Sequence, residues 1–180
     1  MKFDDVRELN VEGYPSEDFL ASVRDVLPEQ VTLVPDAENQ RTSDHGWEVF
    51  KNRELLQPIV SDLSEWGMRV ALFVEPDVQD VRDAWRIGAH RIELYTEHYA
   101  RAFDTGSFEH ELLQYCAAAE VALDLGLEVN ADHDLNLQNI VAFKERIPQI
   151  AGVGIGHALT ADAIHRGFRS AVSAYLAVLH

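Results

Sequence analysis

The sequence predicts an α/β fold of the TIM-barrel type in which six of the eight βα units are present, as one domain over residues 1–180. Three observations predict it. Strand-like runs at Leu9 to Glu12, Val31 to Val34, Arg69 to Val74, Arg91 to Tyr95, Leu127 to Ala131 and Gly152 to Ile155 alternate with stretches of helical spacing. Helices end alike at Trp66-Gly67, Ile87-Gly88 and Leu125-Gly126, each followed almost at once by a strand, as the glycine closing an αβ loop should be. Nearly every strand also ends in something polar or in glycine: Glu12, Asp36, Glu75, Thr96, Asn130 with His133, and Gly156 with His157. The alternation implies a parallel sheet with right-handed crossovers. It leaves closure open between a doubly wound sheet and most of an eight-unit barrel. A ring of polar strand ends favours the barrel, whose loops surround one mouth. Met1 lies only a few residues ahead of the first strand, too close for an opening βα pair, so the expectation is an incomplete (β/α)8 barrel.

Each helix has a local signal. Ser16 caps the first, after Pro15, and the spacing puts Phe19, Leu20, Val23, Val26 and Leu27 on its inner face, with Pro28 ending it. The second uses Leu55, Leu56, Ile59, Leu63 and Trp66, and the third, capped by Asp77, uses Val78, Val81 and Trp85. A fourth follows Ser107 with Leu112, Cys116, Ala119 and Leu123 inward. The fifth runs from about Asn136 to Glu145, and the sixth from Thr160 to near the end with Ile164, Phe168, Val172 and Tyr175 inward.

Composition narrows the partners. With 15 basic against 31 acidic residues the net charge is -16, which repels nucleic acid and anionic membrane. Cys116 stands alone, so a disulfide framework is excluded and a reducing cytoplasm fits. The N-terminus lacks the apolar run of a signal peptide, and Asp162, Arg166 and Arg169 break the apolar C-terminal helix, so no membrane span is expected. A phosphorylated ligand would have to be held against the overall field by local N–H groups and a few basic side chains.

Four stretches carry the chemistry. His133 and the Gly156-His157 turn stand where strands give way to helices, as active-site residues of α/β folds do. In Val129-Asn-Ala-Asp-His-Asp134 strand alternation points Asp132 and Asp134 one way and His133 the other. His133 suits proton donation near neutral pH, and the competing role is a helix cap or an aspartate partner. A metal site made from that triplet alone is poor, because alternation splits its ligands. Gly154-Ile-Gly156-His157 offers backbone N–H groups at a helix start, either a phosphate cradle or a plain tight turn. Glu12, at a strand end before Gly13, would be a base if partly desolvated and otherwise a solvated loop glutamate. The long polar connection from Pro35 to Gly46 reads as a lid, from which Thr42 and His45 would reach a ligand, or as a solvated loop. A phosphosugar isomerase or aldolase-like barrel ranks last: it would need a buried base pair or a Schiff-base lysine, and Lys2, Lys51 and Lys144 all lie away from strand ends.

The ordered stretches Leu9-Asn-Val-Glu-Gly13, Val31-Thr-Leu-Val-Pro35, Val70-Ala-Leu-Phe-Val74, Gly88-Ala-His-Arg-Ile-Glu-Leu94, Val129-Asn-Ala-Asp-His-Asp-Leu-Asn136 and Ile155-Gly-His-Ala158 resemble the pyridoxine 5'-phosphate synthase family of vitamin B6 biosynthesis along essentially the whole chain. The resemblance implies an eight-unit TIM barrel, usually octameric, that condenses 3-amino-2-oxopropyl phosphate with 1-deoxy-D-xylulose 5-phosphate. It implies release of inorganic phosphate and water, and no metal or organic cofactor. By residue it implies Glu12 as proton acceptor, His133 as proton donor, Thr42 and Asp134 at substrate-contact positions, and Gly156 with His157 as the phosphate turn. The chain departs from the family in beginning at what would be the third strand. It also carries Asp132 and Asp134 where glycines are frequent, and Tyr95 and Glu97 where His and Gly are usual. Two readings follow: a synthase-type enzyme, or a non-catalytic barrel homologue that binds or assembles. Either would expose sheet edges that favour a homo-oligomer.

Overall fold

The computed structural model of the chain describes residues 8–36, 40 and 42–179. Six parallel strands form one sheet in sequence order: β1 (Asn10–Gly13), β2 (Gln30–Leu33), β3 (Arg69–Val74), β4 (Arg91–Tyr95), β5 (Glu128–Asp132) and β6 (Gly152–Gly154). The helices between and after them are α1 (Glu17–Val26), α2 (Val49–Glu65), α3 (Val78–Arg86), α4 (Glu97–Asp104), α5 (Glu109–Asp124), α6 (Asn139–Arg146), α7 (His157–Arg166) and α8 (Phe168–Leu179). The sheet curls strongly. Were it flat, β1 and β5 would stand about 19 Å apart, at four strand spacings, yet carboxylate oxygens of Glu12 on β1 and Asp132 on β5 lie within 4.8 Å of each other. The architecture is an incomplete TIM-barrel-like α/β fold whose edges are β1 and β6.

Alternation sorts every strand into two faces. Val31, Leu33, Val70, Leu72, Val74, Ile92, Leu94, Val129 and Ala131 face outward and are buried against Val23, Leu56, Val60, Val81, Leu112, Tyr115 and Phe143 of the helices. The inward set is polar for most of its depth: Gln30, Thr32, Arg91, Glu93 and Asn130 are all buried. At the strands' N-terminal ends Arg91 binds Glu128 (2.5 Å) and Glu8 (3.3 Å), and Arg69 binds Glu8 (2.8 Å), so the charges there are paired. Toward the C-terminal ends Val34, Phe73 and Tyr95 form a small separate apolar cluster, with the Phe73 and Tyr95 rings edge-on at 5.4 Å.

Local signals set the helix ends. The Ser16 side chain accepts from Phe19 N–H, and Asp77 accepts from Gln79 and Asp80 N–H. Gly67, Gly88 and Gly126 take φ of 86°, 92° and 82°, the left-handed turn that starts each return to the sheet. Other expectations are corrected. Val26 and Leu27 of the first helix are exposed, because Leu27 has already left the helix with φ 49°. Leu55 and Trp85 likewise face solvent. The polar stretch Glu97–Asp104 is a helix in its own right. The long terminal helix is two, broken at Gly167 (φ 81°), and the turn carries Ile164 and Phe168 outward (78% and 68% exposed) while Tyr175 stays buried and donates to Asp162 of α7 at 3.0 Å.

The end of the loop after β2 is pinned by contact. A Cβ at Gly46 would lie 2.3–2.6 Å from the Val74 and Glu75 backbone, and Gly46 N–H donates to Glu75 Oε1 at 3.1 Å. Gly46→Ala is expected to destabilise the fold by about 1–3 kcal/mol through overpacking, measured by urea unfolding, and to loosen the loop that carries Thr42.

Candidate functional site

A cavity of about 670 Å³ opens at the C-terminal ends of the strands. Glu12, Thr42, His133, Asp134, Gly156 and His157, the residues singled out from sequence, all line it. Asp36, Ser43, Arg101, Asp104 and Asp132 complete its polar wall. His45 is not among its lining residues; it is exposed and paired with Asp44 at 2.5 Å. Residues 37–39 and 41 of the same loop lie outside the described residues.

His133 sits in a turn made rigid by its neighbours. It has φ 93° and Asp134 has φ 59°, two successive left-handed conformations without glycine. Such backbone persists only where surrounding contacts determine it. Thr96 supplies several of them: its N–H and its hydroxyl both donate to the Asp132 carbonyl at 2.9 Å, and the hydroxyl also reaches the His133 carbonyl at 2.5 Å. The Asp132 carboxylate accepts from His133 N–H at 2.6 Å, and Asn139 Nδ2 donates to the Asp134 carbonyl at 3.1 Å. The imidazole therefore has a fixed place. Its edge-on contact with Tyr95 (5.1 Å between centroids) holds the ring, Nε2 is 3.0 Å from Thr42 Oγ1, and Nδ1 lies 3.6 Å from Asp134 Oδ2.

Beneath the histidine three carboxylates converge. Glu12, Glu93 and Asp132 each place an oxygen within 4.8 Å of the others. Burial pushes the Glu93 carboxyl up to about 8, helped by the charges of Glu12 and Asp132. Glu12 is raised to about 7 by desolvation, then by Asp132 and Asp36, although its side chain still reaches solvent at the open side of the sheet. Asp132 is raised as well, again chiefly by burial. A carboxyl titrating near neutrality that lines the same cavity as an imidazole supplies, with it, a base and an acid for one bound substrate. Glu93 was not picked out from sequence, where it reads as one acid inside the apolar run Ile92-Glu-Leu94; the available signal was its inward parity with Arg91 and Tyr95.

Opposite, α7 begins at His157 with its N-terminal N–H groups at the cavity rim, and Gly156 before it faces open space in the cavity. Charge in the cavity remains unbalanced: Glu12, Asp36, Asp104, Asp132 and Asp134 face Arg101 and two histidines.

Parallel strands curled about a polar interior, with titrating groups gathered at their C-terminal ends, define a protein of the TIM-barrel class. Solved structures agree on that fold: mandelate oxidase superposes with TM-score 0.58 at 14% identity over 92% of this chain and 54% of its own, and HMG-CoA lyase from Brucella melitensis with TM-score 0.54 at 13% over 96% and 68%. The family model for pyridoxal phosphate biosynthesis protein PdxJ matches residues 3–180. Pyridoxine 5'-phosphate synthase of Brucella anthropi is 48% identical over 173 residues, 96% of this chain and 71% of that protein, and the synthase of Christiangramia forsetii is 42% identical over 172 residues, 96% and 72%. The chain belongs to the PdxJ family.

Because Glu12 and Glu93 hold protons in the folded state that the unfolded chain releases near its ordinary value of 4.5, stability should fall as pH rises above 4.5 and level off once pH passes the folded values of about 7 and about 8. Thermal melting at pH 5.5 and 8.5 checks this, with a lower midpoint expected at 8.5 and a flatter response in Glu12→Gln/Glu93→Gln. Replacing Thr96 by Val removes the hydroxyl bonds to two carbonyls and is expected to destabilise by about 1–3 kcal/mol, with the His133 imidazole resonances shifted in NMR spectra.

Proposed function

We propose that this chain is a pyridoxine 5'-phosphate synthase-type enzyme that condenses 3-amino-2-oxopropyl phosphate with 1-deoxy-D-xylulose 5-phosphate, with inorganic phosphate and water leaving. The observation that carries this reading is the pairing of a carboxyl raised to about 7, Glu12, with a positioned imidazole, His133, across one cavity at the strand ends. The relatives' shared name, pyridoxine 5'-phosphate synthase, supports the product, and the two substrates are those that the family resemblance implies.

In this reading the amine of one substrate adds to the carbonyl of the other, and each later step moves a proton. Glu12 in its ionised form removes a proton from the carbon beside the resulting C=N bond, where the anion is delocalised. Glu93, kept protonated by burial, donates a hydrogen bond to the charge that develops nearby, as a neutral carboxylic acid can in a dry pocket. His133, with Nε2 toward Thr42, protonates a departing oxygen so that it leaves as water. Gly156, His157 and the first N–H groups of α7 receive a phosphate, and Thr42 and Asp134 contact the sugar. Assembly into a homo-oligomer and a cytoplasmic location belong to the same reading, the former supported by the exposed Ile164, Phe168 and Leu176.

A second reading, a non-catalytic homologue that binds or assembles, is favoured by one observation. Five carboxylates against Arg101 and two histidines oppose two phosphorylated substrates.

Turnover decides between them. The purified chain is mixed with both substrates and pyridoxine phosphate is followed by absorbance. Under the synthase reading product forms, and Glu12→Gln or His133→Asn lowers kcat by about 100-fold or more while far-UV circular dichroism is unchanged. A well-folded chain without turnover would sustain the second reading.

A further inference from the structure

Below the mouth, a second cavity of about 340 Å³ runs into the barrel interior and is lined by Asn10, Glu12, Gln30, Glu93, Asn130 and Asp132 among others. Its chemistry is one-sided. Arg91, a cation at its far end, is already committed to Glu128 and Glu8. At the other end the carboxylates of Glu12, Glu93 and Asp132 converge within 4.8 Å with no basic side chain hydrogen-bonded or ion-paired to any of them among the described residues.

The same cavity holds a second anomaly, which extends beyond the triad to Gln30 and Asn130. Gln30, Glu93 and Asn130 are 1%, 4% and 8% exposed, and each has an acceptor oxygen with no hydrogen-bond partner: Gln30 Oε1, Glu93 Oε1 and Asn130 Oδ1. Buried oxygens are ordinarily partnered, and leaving one bare costs about 1–3 kcal/mol. Several in one cavity, beside convergent carboxylates, describe a place that lacks positive charge rather than hydrogen-bond acceptors.

We propose that Glu12, Glu93 and Asp132 form a binding site for a hard divalent cation. All the donors are oxygen, which selects magnesium, calcium or manganese over zinc or copper. The three oxygens, all within 4.8 Å of one another, are close enough to share one such ion. Asp132 is the residue that makes the site. It stands where the family resemblance places glycine, and without it Glu12 and Glu93 are a pair able to share a proton. With it the cluster keeps two negative charges beyond the one that proton neutralises, where the pair keeps one. The site goes beyond the condensation reading and does not rest on it: a cation on Glu12 occupies the lone pair that would accept a proton, so the cation-bound and proton-accepting states exclude each other.

The test uses the full chain stripped with chelator, titrated at pH 7.5 with manganese chloride and followed by the loss of the free Mn2+ electron paramagnetic resonance signal, then with calcium chloride by calorimetry. One ion per chain is expected, with affinity falling as pH is lowered from 8 to 6 and reduced about tenfold or more in Asp132→Asn and in Glu93→Gln. Asp132 is only partly buried, so its variant serves where Glu93→Gln fails to fold. Absence of saturable binding below about 1 mM, or binding that Asp132→Asn leaves unchanged because the ion sits elsewhere on the acidic surface, would overturn the site. Loss of the synthase reading appears in the turnover assay instead, so the two failures are separately visible.

Discussion

The two-residue alternation of a parallel strand governs this molecule. A strand that turns Ile92 and Leu94 toward the helices must turn Arg91, Glu93 and Tyr95 the other way, into the space that the sheet encloses. Because the outer face alone meets a continuous apolar layer, the inner face is free to be polar, and most of its members are. Their order along the axis follows from pairing register: Gln30 stands beside Arg69, Ala71 beside Arg91, and Arg91 beside Glu128, while Tyr95 stands beside Asp132. Opposite charges meet at the N-terminal ends, where Glu128 is held below the usual carboxylate range by Arg91. Like charges meet at the C-terminal ends. A single geometric rule thus separates a stabilising end from a reactive one.

That separation explains why the site combines order with electrostatic tension. The backbone around His133 is held by Thr96 and Asn139 in conformations that non-glycine residues avoid, and the carboxylates beneath raise one another's pKa. Neither feature helps the chain to fold. Both are sustained by the apolar contacts on the far side of the same strands, where Val129 and Ala131 are wholly buried. The helices therefore stabilise, from behind, a surface that would not form alone.

What was legible in the sequence was local. Ser16, Asp77 and the three glycines after α2, α3 and α5 act through their own backbone neighbourhood, so their meaning is carried within a few residues. Strand cores were legible for the same reason. Six candidate site residues could be named because strand ends in such folds share one mouth, and the family motifs aligned with them. The failures came where the deciding contact is distant. Glu93 becomes notable only when the curl brings β1, with Glu12, across to it and to Asp132 on the adjoining β5. The break at Gly167 depends on α8 packing back onto α6 and α7, which reverses the facing of Ile164 and Phe168. Trp85 and Leu55 satisfy helical spacing but lie at the margin of a face whose width only the neighbouring helices define.

One close approach has an evolutionary consequence. A Cβ on Gly154 would stand 2.4–2.7 Å from the carboxylate atoms of Asp132, which is tied in place by the His133 N–H and cannot swing aside without giving up that bond. The two positions, on neighbouring strands and 22 residues apart in the chain, share room for one side chain. They form an epistatic pair. While Asp132 keeps its bond to His133 N–H, a side chain at position 154 has no room, so a change at either position alters what the other tolerates.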